Sequence, residues 1–128
     1  MSSYRVLVAE DEADIRFMTC FTLRFGGFEV LEAQDGQEAL EMAQRDPPDL
    51  ILLDAKMPRL DGFETCRQLK TLPETQHIPV VMLSAMGQER EIARGKSAGA
   101  IDYLLKPYVP QDLIARLKSI LESSKSII

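Results

Sequence analysis

The stretch Asp49–Gly62, Asp-Leu-Ile-Leu-Leu-Asp-Ala-Lys-Met-Pro-Arg-Leu-Asp-Gly, decides how the rest of the chain is read. Four consecutive aliphatic residues, Leu50–Leu53, run straight into a carboxylate, Asp54. A short apolar run bounded by turn residues fits a strand buried on both faces, although the run alone does not separate it from a buried helix. Pro47-Pro48 before it and Met57-Pro58 after it leave too little room for a helix. Asp54 therefore stands where a central strand leaves the core. An unpaired charge there is costly, so a polar pocket or a cation has to meet it.

Upstream, Arg5–Ala9 is a valine-rich apolar run, a first strand ended by Glu10-Asp11-Glu12. Asp11 is a good N-cap type, and acids suit the first turn of a helix. That helix runs to about Phe25, with Ile15, Met18, Phe21 and Phe25 at helical spacing, and Gly26-Gly27 stops it. Phe28–Ala33 alternates in part, so it reads as a second strand nearer an edge. Asp35-Gly36 turns into a second helix, Gln37–Arg45, with Ala39, Leu40 and Ala43 inward.

Downstream, a third helix spans roughly Gly62–Leu72, with Phe63, Cys66 and Leu69 on one stripe, and Pro73–Pro79 is a loop. Val80–Leu83 is a fourth strand ending at Ser84. Gln88–Ser97 makes a poor fourth helix: it holds Gly95, several charges and few large apolar residues, so it is loosely held. Ala100–Leu105 is a fifth strand, Lys106-Pro107 a sharp exit, and Gln111–Glu122 a fifth helix carrying Leu113, Ile114, Leu117, Ile120 and Leu121. Ser123–Ile128 reads as a short unpatterned tail. Five strands alternating with five helices argue for an α/β fold, a parallel sheet with helices on both faces and right-handed crossovers.

Composition bounds the function. At 128 residues the chain is one domain, large enough for a proper core. A hydrophobic content of 45% and a charged content of 27% are ordinary for a globular protein. The formal net charge of −5 disfavours non-specific nucleic-acid or anionic-membrane binding, while leaving room for a basic patch on one face, and no direct nucleic-acid partner is expected. The N-terminus has no signal-peptide pattern, and nothing approaches the ~18 apolar residues of a membrane span, so a cytoplasmic location is expected. Cys20 and Cys66 read as buried or half-buried thiols of a reducing compartment.

Sheets of this kind bind ligands beyond the carboxyl ends of their strands. There stand Glu10 and Asp11, Asp54, Ser84 and Lys106. Three carboxylates converging at one edge raise a pKa unless a cation is shared. Oxygen ligands with room for water suit Mg²⁺ better than zinc or copper. A lysine and a hydroxyl facing those acids are what a phosphoryl group needs. Taken singly, each residue has a blander reading. An acidic pair opening a helix is mostly a cap, Asp54 is as often a turn residue, and Lys106 before proline is usually solvated. Their joint placement at one edge is what the bland reading does not require.

With these residues in view, the chain resembles the receiver domains of bacterial two-component response regulators, the CheY-like group. The likeness covers Arg5 to Glu122. It rests on Glu10-Asp11 after the first strand, Asp54 followed by Met57-Pro58 and Asp61-Gly62, and Ser84-Ala85 after the fourth strand. Tyr103 three residues before Lys106, and Lys106-Pro107-Tyr108 with Leu113 beyond, complete it. The resemblance implies a single receiver domain over 1–128, with its core at about 5–122, and a doubly wound flavodoxin-like sheet of order 2-1-3-4-5. That order comes from the resemblance and not from spacing.

What the resemblance further implies is a switch. Asp54 takes a phosphoryl group from a sensor histidine kinase or histidine phosphotransfer protein, with Mg²⁺ or Mn²⁺ as cofactor. Asp11, Asp54 and the backbone carbonyl of Lys56 ligate the metal, and Glu10 holds a metal-bound water. Lys106 and the metal offset the transferring charge. Ser84 hydrogen-bonds a phosphoryl oxygen and frees space for Tyr103 to turn inward. That alters the face of the fourth helix, fifth strand and fifth helix, where a downstream protein target reads it. Such a chain is no conventional enzyme, but catalyses its own phosphorylation and slow autodephosphorylation. The Lys106–Pro107 bond is expected to be cis. Glu10 departs from the commoner aspartate and Tyr108 from phenylalanine. Lys56 and Met86 occupy positions that tune hydrolysis, and Lys56 is expected to lie over the site and slow it.

Other readings stay open on the residues alone. A flavodoxin-like cofactor binder needs a Ser/Thr/Gly-rich cradle after the first strand, where this chain has Glu-Asp-Glu. A phosphohydrolase of the haloacid dehalogenase type expects its aspartate after the first strand and a cap domain. A phosphate-independent interaction module expects a lost site residue. The chain is expected to be a stand-alone receiver, with a receiver cut from a longer regulator as the alternative. His77 reads as solvated. The first helix holds more large apolar residues (Phe17, Met18, Phe21, Leu23, Phe25) than one stripe needs. A partner contact or weak homodimer is expected there, with a monomer as the alternative.

Overall fold

Residues 3–125 are described by a computed structural model. In chain order the elements are β1 (Arg5–Ala9), α1 (Ala13–Phe25), β2 (Glu29–Ala33), α2 (Gly36–Arg45), β3 (Leu50–Asp54), α3 (Gly62–Thr71), β4 (Val80–Ser84), α4 (Glu89–Ser97), β5 (Asp102–Leu105) and α5 (Pro110–Lys125). The strands form one parallel sheet in the order β2-β1-β3-β4-β5. This is the expected doubly wound fold, and β2 is an edge strand as its partial alternation implied.

Side chains alternate across each strand, so consecutive residues feed two different cores. Leu7, Ala9, Ile51, Leu53, Val80 and Met82 pack with Ala39, Leu40 and Ala43 of α2 and Phe63, Cys66 and Leu69 of α3. On the opposite face Val6, Val8, Leu50, Leu52, Val81 and Leu83 pack with Cys20 and Leu23 of α1 and Leu113, Leu117 and Leu121 of α5. The uninterrupted run Leu50–Leu53 is the signature of a strand serving both cores at once, and all four are essentially fully buried.

Several boundaries differ from the sequence reading. The N-cap of α1 is Glu12, without a side-chain cap bond, and not Asp11. The Glu10 side chain already bonds the Glu12 N–H at 3.1 Å, which moves the helix start onward. β2 begins after Phe28, whose N–H is taken by the Leu23 carbonyl closing α1. β5 begins at Asp102 because Ala100 still bonds back to Gly95 at the end of α4. α5 runs on through Ser123 to Lys125, since no glycine or proline stops it; the rest of the expected tail lies outside the described residues.

The larger correction concerns which face of α1 is inside. Thr19, Cys20 and Leu23 are buried, whereas Phe17, Met18, Phe21 and Phe25 are exposed, Phe25 to 84%. The helix meets the sheet through its smaller residues, and Phe17 and Phe21 stack on each other outside it. Of the surplus read from the sequence, Leu23 is taken into the core and the other four residues face outward. Both cysteines are buried and free, and burial pushes each thiol up to about 11. No helix among the described residues is long and apolar enough to cross a membrane.

Candidate functional site

Strand order reverses between β1 and β3, which is where a crevice opens beyond the strand ends. Ala9 pairs with Leu53 in register, so the next residues, Glu10 and Asp54, leave the sheet side by side. Asp54 in turn pairs with Leu83, and Ser84 with Leu105. The register alone therefore brings Glu10, Asp54, Ser84 and Lys106 to one edge.

The carboxylates of Glu10, Asp11 and Asp54 offer oxygens within 4.8 Å of one another, two of them buried and Asp11 exposed. Lys106 reaches into this group. Its Nζ donates to Glu10 Oε1 at 3.0 Å and to Asp54 Oδ1 at 3.3 Å. Each oxygen of the longer Glu10 arm has a partner, one Lys106 and the other the Glu12 N–H. Arg16 holds the Glu10 carbonyl at 2.8 Å from the next turn.

Charge and burial oppose each other here. Burial first, and then the neighbouring Glu10 carboxylate, push the Asp54 carboxyl up to about 6 against the pull of Lys106. Burial pulls the Lys106 ammonium down, but its bonds to Glu10 and the charge of Asp54 outweigh that and hold it above its ordinary value. Three carboxylates against one ammonium leave an oxygen-only cluster short of positive charge. Its donors suit a hard divalent cation such as Mg²⁺, and zinc or copper poorly.

Beside the cluster lies a cleft of about 470 Å³ lined by Asp11, Lys56, Met57, Pro58, Met86 and Arg94, among others. Lys56 is exposed at its lip. Ser84 is buried, and its Oγ accepts the Met86 N–H at 3.0 Å. The Tyr103 ring is already turned inward, and its hydroxyl donates to the Met86 carbonyl at 2.9 Å. Gly95 makes that position possible: a Cβ there would lie 2.9 Å from Tyr103 Cδ2. The residue read as a weakness of the fourth helix is thus the space for the tyrosine. The Lys106–Pro107 bond is cis. His77 is exposed on its loop and does not line the cleft.

Two features escaped the sequence reading. Arg94 of α4 lies over the Phe63 ring, 4.3 Å from its centroid, and reaches Asp61 at 3.7 Å. Arg59, on the loop after Asp54, pairs with Asp35 at the start of α2. Both join residues distant in sequence through long flexible side chains, for which no local pattern exists.

The family description "Response regulator receiver domain" matches residues 6–118. The phosphate regulon transcriptional regulatory protein PhoB of Escherichia coli (strain K12) is 45% identical over 117 residues, which is 91% of this chain and 51% of that protein. Response regulator MprA of Mycobacterium leprae (strain TN) is 42% identical over 121 residues, 94% of this chain and 52% of that protein. The chain spans about half the length of these curated relatives. Among solved structures, chemotaxis protein CheY4 of Vibrio cholerae has a TM-score of 0.88 at 34% identity, covering 93% of this chain and 99% of that one. The signal receiver domain of a signal transduction histidine kinase from Syntrophus aciditrophicus has a TM-score of 0.90 at 29% identity, covering 98% of this chain and 96% of that one. Fold, site and kinship agree, and the chain belongs to the response regulator receiver domain family.

Proposed function

We propose that the chain is a phosphoacceptor switch in which Asp54 receives a phosphoryl group from a sensor histidine kinase or a histidine phosphotransfer protein. The observation that carries this reading is Lys106 Nζ shared between Glu10 and Asp54 inside a buried carboxylate cluster. In the transfer, an Asp54 carboxylate oxygen forms the new O–P bond as the P–N bond of the donor phosphohistidine breaks. The electron pair leaves on the imidazole nitrogen. Lys106 stays in place and trades part of its contact with Asp54 for an incoming phosphoryl oxygen, so charge is met by a pre-set group. Asp11, Asp54, the Lys56 carbonyl and, through water, Glu10 would hold Mg²⁺ or Mn²⁺, which would supply the remaining positive charge.

Ser84 then exchanges its bond to the Met86 N–H for a phosphoryl oxygen. Because Tyr103 bonds the carbonyl of the same residue, a shift at Ser84 reaches Tyr103 through Met86. The readout surface is the α4–β5–α5 face. Within α4 only Gly95 is buried, and Glu91 Oε1 is a buried acceptor without a partner. Such a helix has little holding it in one arrangement. A downstream protein target is proposed to read that face in the cytoplasm, without direct nucleic-acid contact.

The test is incubation with a small phosphodonor such as acetyl phosphate, with and without Mg²⁺, followed by intact mass under acid conditions. One phosphoryl group is expected, dependent on Mg²⁺ and abolished by Asp54→Asn. A folded, Mg²⁺-binding chain that takes up none would overturn the reading.

A further inference from the structure

Arg59 is the one non-glycine among the described residues with a positive φ, at 68°. The Leu60 N–H donates to the Pro58 carbonyl at 2.8 Å, so Arg59 is the centre of a γ-turn. That arrangement is rare and strained for an L-residue, and glycine is what such a backbone accepts without cost. What meets the strain is remote. The Arg59 guanidinium donates to Asp35 Oδ2, 24 residues back. Asp35 is buried, and its Oδ1 caps α2 by accepting the Glu38 N–H at 2.8 Å. The turn and the helix start abut closely: a Cβ on Gly36 would lie 2.4 Å from the Leu60 carbonyl oxygen.

The turn is the tip of a loop closed at its base. The Gly62 N–H donates to the Ala55 carbonyl at 3.0 Å, and a Cβ on Gly62 would lie 2.2 Å from the Asp54 carbonyl oxygen. Residues 55–62 thus leave Asp54, return to it, and carry Lys56 at the lip of the cleft. The base is fixed by backbone contacts, while the tip is tied to α2 by the Arg59–Asp35 pair.

We propose that Arg59 is a positioning residue, whose ion pair with Asp35 holds the strained tip of the 55–62 loop and so sets the Lys56 backbone toward a divalent cation. The proposal rests on the reading of the site above, in which the Lys56 carbonyl is a metal ligand. An ion pair whose arginine is 71% exposed adds little to global stability. Its effect falls on the local opening of the loop.

The test uses the full chain with Arg59→Gln, Asp35→Asn, both together, and Arg59→Gly. Asparagine keeps an acceptor for the Glu38 N–H, so α2 stays capped. Two quantities are read: amide hydrogen exchange of residues 56–60 without metal, and Mg²⁺ affinity by calorimetry. Arg59→Gln and Asp35→Asn are each expected to speed exchange in the loop and weaken Mg²⁺ roughly tenfold, the scale of losing an outer support of a metal site. The double variant is expected to be no worse than either. Arg59→Gly, which removes the strain along with the guanidinium, is expected to recover most of the loss. Unchanged loop exchange in both single variants overturns the proposal. So does a glycine variant as impaired as the glutamine one, because the guanidinium would then act by charge alone. A parent chain that binds no Mg²⁺ overturns the site reading, while loop exchange still decides the clamp.

Discussion

Lys106 Nζ lies 3.3 Å from Asp54 Oδ1, so the ammonium at the end of β5 is already seated against the carboxylate at the end of β3. With Glu10 on the same ammonium, the cluster is part-neutralised before any ligand arrives. Three carboxylates less one ammonium leave a surplus of two negative charges when all are ionised. A divalent cation matches that surplus, and a phosphoryl group brings new negative charge that only the combination of cation and lysine can meet.

The Asp54 carboxyl titrates near 6, above its ordinary 3.8. Folding therefore takes up a proton between those values. The stability contributed by the neutral carboxyl is fully present below 3.8 and lost as pH rises through 6. Asp54→Asn removes that loss. In chelator at pH 7 the variant is expected to be more stable than the parent by about 2 kcal/mol, with the advantage vanishing at the acid end of the window. Urea midpoints across the range check this, and saturating Mg²⁺ is expected to narrow or reverse the order by stabilising the parent.

Lys106→Met leaves Glu10 and Asp54 buried without their shared cation. A loss of about 1–3 kcal/mol is expected at neutral pH in chelator, smaller in acid where Asp54 is protonated. Denaturant unfolding at two pH values reads both parts. A variant as stable as the parent at neutral pH contradicts the seat assigned to Lys106.

Gly95→Ala sets two effects against each other. Alanine improves the propensity of α4 by about 1 kcal/mol. Its Cβ would stand 2.9 Å from Tyr103 Cδ2, so the ring has to move outward and gives up its bond to Met86, worth about 1 kcal/mol. With the lost burial of the ring added, stability is expected to fall by about 1–3 kcal/mol while the Tyr103 ring becomes solvent-accessible. Ring proton shifts by NMR report it directly, and an unmoved ring refutes the packing role of Gly95.

Lys56 stands exposed at the lip of the cleft that Asp11 and Met86 also line. On the proposed reading, a long side chain there would restrict the approach of water to a phosphoryl group on Asp54. Lys56→Asn is expected to shorten the aspartyl-phosphate lifetime by roughly 3- to 10-fold, followed as the decay of the phosphorylated mass in excess Mg²⁺. An unchanged lifetime removes Lys56 from the account.

The strand ends were legible because short apolar runs stop abruptly at polar residues; a parallel sheet puts those ends at one edge, and the strand order, which came from the family resemblance, places Glu10, Asp54, Ser84 and Lys106 together. The inward face of α1 was not. Ile15, Met18, Phe21 and Phe25 have helical spacing, but so do Thr19, Cys20 and Leu23. Periodicity marks a stripe without saying whether the sheet or solvent meets it. Asp11 read as a cap because its type favours one, whereas the Glu10 side chain occupies the local N–H and delays the helix. The Arg59–Asp35 and Arg94–Asp61 pairs had no signal, since each depends on how two loops or helices come together in space.

Whether Asp54 itself carries the phosphoryl group is decided by locating the modified residue. The chain is phosphorylated with acetyl phosphate and Mg²⁺, reduced with borohydride to convert an aspartyl phosphate to homoserine and a glutamyl phosphate to 2-amino-5-hydroxypentanoate, and digested for peptide mass analysis. Homoserine is expected at position 54 alone, with none in Asp54→Asn. Modification at Glu10, Asp11 or another carboxylate, with Asp54 intact, would contradict it.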